Sequence, residues 1–250
     1  MNHPHIHFES CASTHLYASE HAKDLEDGSV ITADFQGEGR GRFGRKWISK
    51  PGDSLLMTIF LRPKIPPAHA TSLLHVLALS VVGLLKDHQI NALLRWPNDV
   101  VVKEKKIAGL LADASFQGSQ LSDVIISVGL NVNQDIPELE KIDRPATSIF
   151  VECGRREKPV TLVPPLLSHF DRLYELFTRD GFTSLIDEWR QKQMLIGKRV
   201  RLEIGTEFFE GRIVSFGDDC SIAVENDAGI VRSFVAGEVV QVRGAPPRCG

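Results

Sequence analysis

VITADFQGEGRGRFGRKWISKPGDSLLMTIFL, residues 30–61, is the stretch on which the fold turns. Its two ends read as strands: Val30 to Gln36 is β-rich, and Ser54 to Leu61 is a largely apolar run of strand length. Between them lies a glycine-rich loop, in which Gly39 to Gly44 spells G-R-G-R-F-G and so satisfies the G-x-G-x-x-G of dinucleotide-binding folds. That fingerprint opens a helix and has an acidic residue about 20 positions further on. Here KWISKPGD follows, with Pro51 and Gly52 against a helix, and Lys64 stands where the acid belongs. No G-x-x-x-x-G-K-[ST] phosphate loop occurs in the chain. The context of a doubly wound nucleotide fold is therefore missing.

What the loop does carry is Arg40, Arg42, Arg45 and Lys46, four cations in seven residues, spaced by glycines that let a ligand approach the backbone. Arginine offers planar paired donors to phosphate or carboxylate oxygens and keeps its charge near neutral pH. A triphosphate is the natural guest. The chain as a whole has 250 residues with 29 Lys plus Arg against 32 Asp plus Glu, a net charge of −3, so the basic site is local and a bulk polycation is excluded. A solvated charged loop is the plain alternative. Trp47 follows at once, either as a flat surface for a purine or as a core residue.

Working outward, Pro66 and Pro67 open a helix through about Lys86. Its apolar part, Leu73 to Leu85, is 13 residues long and includes His75 and Ser80, whereas a membrane span needs about 20. The start, MNHPHIHFES, has no secretion-signal pattern, so a cytoplasmic protein without a membrane span is expected. Ala92 to Asn133 reads as strands LLRW, VVVK, KIAGLLADASF and DVIISVGLNVN, with WPND and KEKK as turns. A helix capped by Thr161 follows, with Leu166, Phe170, Leu173 and Phe177 on one face, then a second with Phe182, Leu185, Ile186 and Trp189. After Met194, KRVRLEI, FFEGRIVSF, SIAVEN, IVRSFVA and EVVQVR are short alternating strands that predict a small β-barrel packed on the larger part, with GAPPRCG as a loose tail. The expected organisation is an α+β chain of two domains, 1–195 and 196–250.

Cys11, Cys153, Cys220 and Cys249 have no C-x-x-C spacing and read as free thiols. His3, His5 and His7 alternate without a completing ligand and read as a frayed or edge-strand terminus, so no protein-held metal site is expected. In Arg95-Trp96-Pro97-Asn98-Asp99, Asp99 is either a turn residue or a carboxylate able to accept from an amine nucleophile or to help hold Mg²⁺. Lys105 and Lys106 lead into an apolar run, and Lys106 is the better candidate to point inward.

GRGRFGRKW, RWPNDV, KKIAGLLAD and VGLNVN, in that order, resemble the biotin-protein ligases, which attach biotin to a lysine of biotin-dependent carboxylases. The likeness runs from about Ser13 to Asn133, and the β-rich tail fits that family's carboxy-terminal domain. It implies a mixed β-sheet flanked by helices, as in class II aminoacyl-tRNA synthetases and lipoate ligases, followed by an SH3-like barrel. It also implies that Ser13 and Thr14 bind the ureido end of biotin, with His15 in place of the usual Asn. Gln36 and Gly39, Arg40, Gly41 and Arg42 would contact biotin and the phosphates, with Arg45 in the same loop. Trp47 would lie against adenine, Lys106 would bind the biotin carboxylate and α-phosphoryl group with Gly109 beside it, and Asn131 would fall near the nucleotide. Lys106, Arg42 and Asp99 are the residues implied in the chemistry. Arg95 stands where Lys is common, Asp113 where Glu is common, and Glu38 where a small residue is usual; Glu38 would weaken the field of the arginines unless it faces solvent.

The implied reaction has two steps. Biotin and ATP, with Mg²⁺, give biotinyl-5′-adenylate and pyrophosphate; a lysine of a biotin carboxyl carrier protein, the acetyl-CoA carboxylase subunit, then attacks the mixed anhydride and expels AMP. Only 12 residues precede Ser13, too few for a helix-turn-helix domain, so no DNA-binding repressor role is expected; a homodimer stays open. The rival readings are a lipoate or octanoate ligase on the same scaffold and an RNA-contacting arginine loop.

Overall fold

A computed structural model describes residues 1–241; Cys249 and the tail GAPPRCG lie outside the described residues. Strands β1 (His5–Cys11), β2 (Val30–Gln36), β3 (Ser54–Leu61), β4 (Leu93–Arg95), β5 (Asp99–Val102), β6 (Lys105–Gln117) and β7 (Gln120–Asn131) form one sheet in the order β1-β2-β3-β7-β6-β5-β4. The β1–β2 pair is parallel and the others are antiparallel, which makes the sheet mixed. The helices are α1 (Thr14–Glu20), α2 (Ser72–Asp87), α3 (Ile136–Leu139), α4 (Ile149–Cys153), α5 (Val163–Asp180) and α6 (Ile186–Gln191). A second sheet of five antiparallel strands follows: β8 (Arg199–Ile204), β9 (Glu207–Phe216), β10 (Ile222–Glu225), β11 (Val231–Phe234) and β12 (Glu238–Gln241), in the order β11-β10-β9-β8-β12.

Side chains alternate across a strand, and the register of β3, β7 and β6 sorts them into two unlike faces. Met57, Ile59 and Leu61, Val124, Ile126, Val128 and Leu130, and Ala108 and Leu110 all join the main core, packed under α2 and α5. The opposite face carries Leu56 and Thr58, Ser127 and Gly129, and Gly109 and Asp113, and α1 lies over part of it. The small and hydroxylated residues gather on this second face, which leaves room above the sheet.

With the turn before it, α2 is long and apolar enough to cross a membrane, yet it lies inside the molecule, and Leu73 through Leu85 are almost all buried. Its first turn departs from expectation: Pro67–His69 forms a separate 3₁₀ turn, and the α-helix starts at Ser72. Thr161 does not cap α5. A 3₁₀ turn over Pro159–Leu162 runs straight into the helix, and the Thr161 hydroxyl donates back to the carbonyl of Lys158 at 2.7 Å. The expected stripe Leu166, Phe170, Leu173 and Phe177 is buried. The amino terminus is an edge strand but not a frayed one: His5 and His7 both hydrogen-bond Thr32 Oγ1, at 2.8 and 2.9 Å, and His3 meets Asp171.

The two sheets share one core. Trp189 sits edge-on to Phe216 at 5.4 Å, and Val200, Leu202, Ile213 and Ile222 join the cluster that holds α2. Trp96 of the RWPNDV turn is buried and donates from Nε1 to the carbonyl of Cys220 at 2.8 Å, tying the first sheet to the second. Residues 192–194 also pair alongside β4, with Leu94 N donating to Lys192 O at 2.8 Å, which covers that sheet edge.

Candidate active site

The loop between β2 and β3 folds into a small hairpin: Trp47 N donates to Gly39 O at 2.9 Å and Gly41 N to Arg45 O at 2.8 Å. Phe43 at its tip is left-handed, with φ 56°, a conformation disfavoured for a residue with a Cβ. This hairpin brings Trp47 down onto the small-residue face of the sheet. Gly109 and Gly129 are cross-strand neighbours there. A Cβ added at Gly129 would stand 2.6 Å from Trp47 Cε2, and one at Gly109 would stand 2.7 Å from Lys106 Nζ and 3.1 Å from Trp47 Cζ3. Only glycine lets the indole and the lysine lie this close to the strands. Trp47 is half-buried, and its Nε1 is shielded with no hydrogen-bond partner.

Lys106 points inward, as its place before the apolar run predicts. Its Nζ is 2.6 Å from Asp99 Oδ1 and 5.7 Å from the Trp47 ring centre. Asp99 Oδ2 accepts from Arg95 Nη2 at 2.7 Å. Burial pushes the Asp99 carboxyl upward, but the charges and hydrogen bonds of Lys106 and Arg95 outweigh it and hold the group below the ordinary carboxylate range. Burial lowers the Arg42 guanidinium, against the opposing pull of Asp99 and Glu238. Lys106, Arg42 and Asp99 thus share one patch of field. The backbone of Lys106 is clamped by residues 145–147, donating to Pro145 O at 2.8 Å and accepting from Thr147 N at 2.9 Å.

The second sheet reaches the arginine hairpin. Glu238 pairs with both Arg45 and Arg144, and Arg42 Nη1 donates to Gly237 O at 3.3 Å. Arg40 faces solvent next to Glu38, 4.0 Å away and itself exposed, so Glu38 does not sit among the other arginines.

At the opposite end, Ser13 caps α1 and accepts from Leu16 N at 3.4 Å. Gln36 Oε1 accepts from Thr14 N at 2.7 Å and from Thr14 Oγ1 at 3.0 Å. Thr14 Oγ1 also meets Thr58 Oγ1 at 2.8 Å, which meets Ser127 Oγ at 2.7 Å. His15 closes this chain, with Nδ1 2.7 Å from Ser127 Oγ and Nε2 2.8 Å from Asp113 Oδ2.

Sequence reasoning missed Thr58, Ser127, Gly129, Arg144 and Glu238. For Thr58 and Ser127 the available signal is a hydroxyl interrupting the apolar run of each strand; the register sets them opposite each other. Asn131 lies two residues past Gly129, but its side chain is turned inward: Nδ2 donates to Thr147 O at 2.9 Å, and Oδ1 accepts from Gln134 Nε2 at 3.1 Å.

Residues 7–131 match the family model described as the biotin/lipoate A/B protein ligase family. The bifunctional ligase/repressor BirA of Bacillus subtilis (strain 168) is 30% identical over 237 residues, covering 92% of this chain and 72% of that protein. The biotin–[acetyl-CoA-carboxylase] ligase of Paracoccus denitrificans is 27% identical, covering 87% of this chain and 92% of its own. The biotin protein ligase from Aquifex aeolicus in complex with biotin and ATP superimposes with a TM-score of 0.82 at 28% identity, covering 96% of this chain and 99% of that one. The matched region spans β1 through β7, the segment that builds the glycine floor, the lysine and the arginine hairpin. With fold, floor and ordered motifs in agreement, the chain belongs to the biotin/lipoate A/B protein ligase family.

Proposed function

We propose that this protein is a biotin protein ligase that activates biotin with ATP as biotinyl-5′-adenylate and transfers it to a lysine of a biotin carboxyl carrier protein. The observation that carries the reading is the pairing of Lys106 with Asp99, within the field of Arg42, at one end of a side-chain-free floor, with a hydrogen-bonding pocket at the other end. Biotin's carboxylate and the α-phosphate of ATP repel each other, so the site must neutralise both before the carboxylate oxygen attacks phosphorus and pyrophosphate leaves. Lys106 and Arg42 supply that charge, and Lys106 acts as an electrostatic stabiliser. Gln36, Thr14 and Ser13 hold the far end of biotin, while Arg40 and Arg45 of the hairpin meet the polyphosphate.

Both oxygens of Asp99 are engaged, one by Lys106 and one by Arg95, so its role in this reading is to aim Lys106. In the second step the acceptor lysine's amine attacks the carbonyl carbon of the anhydride, and AMP leaves. Among the described residues no three His, Cys, Asp or Glu side chains come together as metal ligands. In this reading Mg²⁺ enters with the nucleotide's phosphates, as that ion commonly does. Residues 1–195 form the ligase domain and 196–250 an SH3-like domain whose Glu238 steadies the arginine hairpin. The site of action in this reading is the cytoplasm, where ATP is at hand.

The test is pyrophosphate exchange into ATP with Mg²⁺, run with biotin, with lipoate and with no acid. Exchange that requires biotin supports the assignment. Exchange with lipoate alone would replace the substrate, and none with either would remove the adenylation step.

A further inference from the structure

We propose that His15 is a positioning residue: its doubly protonated ring sets the direction of a hydroxyl relay, Ser127 to Thr58 to Thr14, that holds the Gln36 amide ready for the ligand. The inference rests on the biotin reading of this pocket and deepens it. The direction follows from counting protons. The backbone N–H of Thr14 can only donate, so the amide oxygen of Gln36 must face it, at 2.7 Å. The same oxygen lies 3.0 Å from Thr14 Oγ1, so that hydroxyl's one proton points at Gln36. Thr14 must then accept from Thr58 at 2.8 Å, and Thr58, its proton used, must accept from Ser127 at 2.7 Å. Ser127 in turn accepts from His15 Nδ1 at 2.7 Å, while Nε2 donates to the Asp113 carboxylate at 2.8 Å. Both ring nitrogens therefore carry protons.

Losing one proton reverses the line. Asp113 keeps the proton on Nε2, as a carboxylate partner fixes a histidine tautomer. Bare Nδ1 must then accept from Ser127, Ser127 from Thr58, and Thr58 from Thr14. Thr14 Oγ1 is left with lone pairs facing the lone pairs of Gln36 Oε1, and the amide keeps only its bond from the Thr14 backbone N–H. In the protonated state Gln36 Nε2, lying beside Gly39, has both its protons free for a urea carbonyl. The charged group facing His15 is Asp113 of β6, whose side chain is 70% exposed. On the strands under α1, β2 and β3 bring no titratable side chain to this face, and β7 brings Asp123, four residues beyond Ser127. Lys106 belongs to the other end of the site.

Two measurements test the relay. Histidine ring ¹⁵N spectra of the ligand-free protein, with His15 identified through His15→Asn, follow its titration directly. Thr58→Val, nearly the same shape, cuts the relay and frees Ser127 to donate to Nδ1, so His15 should give up its proton at a lower pH than in the wild type; an unchanged midpoint overturns the proposal. Biotin affinity by calorimetry, measured on both sides of the midpoint that the ring spectra give, should fall about three- to tenfold as the wild-type ring deprotonates, the worth of one hydrogen bond, and should stay flat in His15→Asn. A flat wild-type profile with biotin bound overturns the relay and leaves the ligase reading intact. A shifted midpoint in Thr58→Val without biotin binding at any pH supports the relay and removes the ligase reading.

Discussion

Asp99 and Lys106 form an ion pair of 2.6 Å at the end of the glycine floor, across the β5–β6 hairpin that WPND and KEKK bracket. The pair aims the ammonium, and the side chain that does the aiming is itself held by Arg95.

Replacing Lys106 by Ala removes the charge but leaves Asp99 paired with Arg95. Biotin-dependent pyrophosphate exchange should fall by about 10² to 10³, the usual cost of losing a transition-state donor, with the unfolding midpoint close to wild type. An exchange rate near wild type would remove Lys106 from the chemistry.

Asp99→Asn should lose both activity and stability, because two cations then face a neutral amide in a mostly buried setting. A loss of about 2 kcal/mol in urea unfolding at neutral pH is expected. The folded-state value of Asp99 is depressed, so its contribution is present above the ordinary carboxylate range and vanishes as pH falls through that lower value. The gap between wild type and variant should therefore close in acid.

His75 provides a second pH handle, remote from the site. It lies 5.0 Å from the ring of Trp189 and 5.9 Å from that of Phe182, and burial pushes it down to about 4. The unfolded chain binds a proton here below the ordinary histidine value, while the native state does not. Stability should be complete above about pH 6.5 and decline as pH drops toward 4, by up to about 3 kcal/mol. His75→Leu should flatten that part of the curve when urea unfolding is repeated across the range.

Gly129→Ala places a methyl where the Trp47 indole lies. The indole must lift, so its emission should move to longer wavelength, against a constant background from the buried Trp96 and Trp189. Biotin affinity should drop about five- to 150-fold, since overpacking a close contact costs roughly 1–3 kcal/mol. A spectrum and affinity like those of wild type would show that the floor tolerates a side chain.

Glu238→Gln loosens the arginine hairpin from the second sheet. Arg45 and Arg144 are about half exposed, so global stability should change by less than about 1 kcal/mol. The apparent KM for ATP should rise several-fold with kcat little altered, and trypsin should cut faster at the hairpin's arginines. Unchanged KM and cleavage would deprive the contact of any role.

Much of the site was legible because its chemistry is local in sequence. The hairpin's glycines and cations lie within one loop, and Lys106 adjoins the strand that buries it. What could not be read depends on register or on long closure. Thr58 and Ser127 become partners only when β3 and β7 pair, 69 residues apart, and in either strand alone the hydroxyl reads as an interruption of a core run. Thr161 looks like a cap, but the 3₁₀ turn before α5 supplies the helix entry through its backbone. Helix α1, seven residues long, carries no apolar repeat long enough to announce it, although Ser13 is a fair capping signal. The partners of Asn131 were equally out of reach, because Thr147 and Gln134 meet it only once the segment after β7 has folded back.

The contact between Arg45 and Glu238 spans 193 positions of the chain. During synthesis the ribosome delivers the hairpin, the lysine and the glycine floor long before it delivers the residue that fastens them. A nascent chain that has emerged only as far as β7 therefore carries the arginine hairpin without its tether, which arrives only with the last strand of the second sheet.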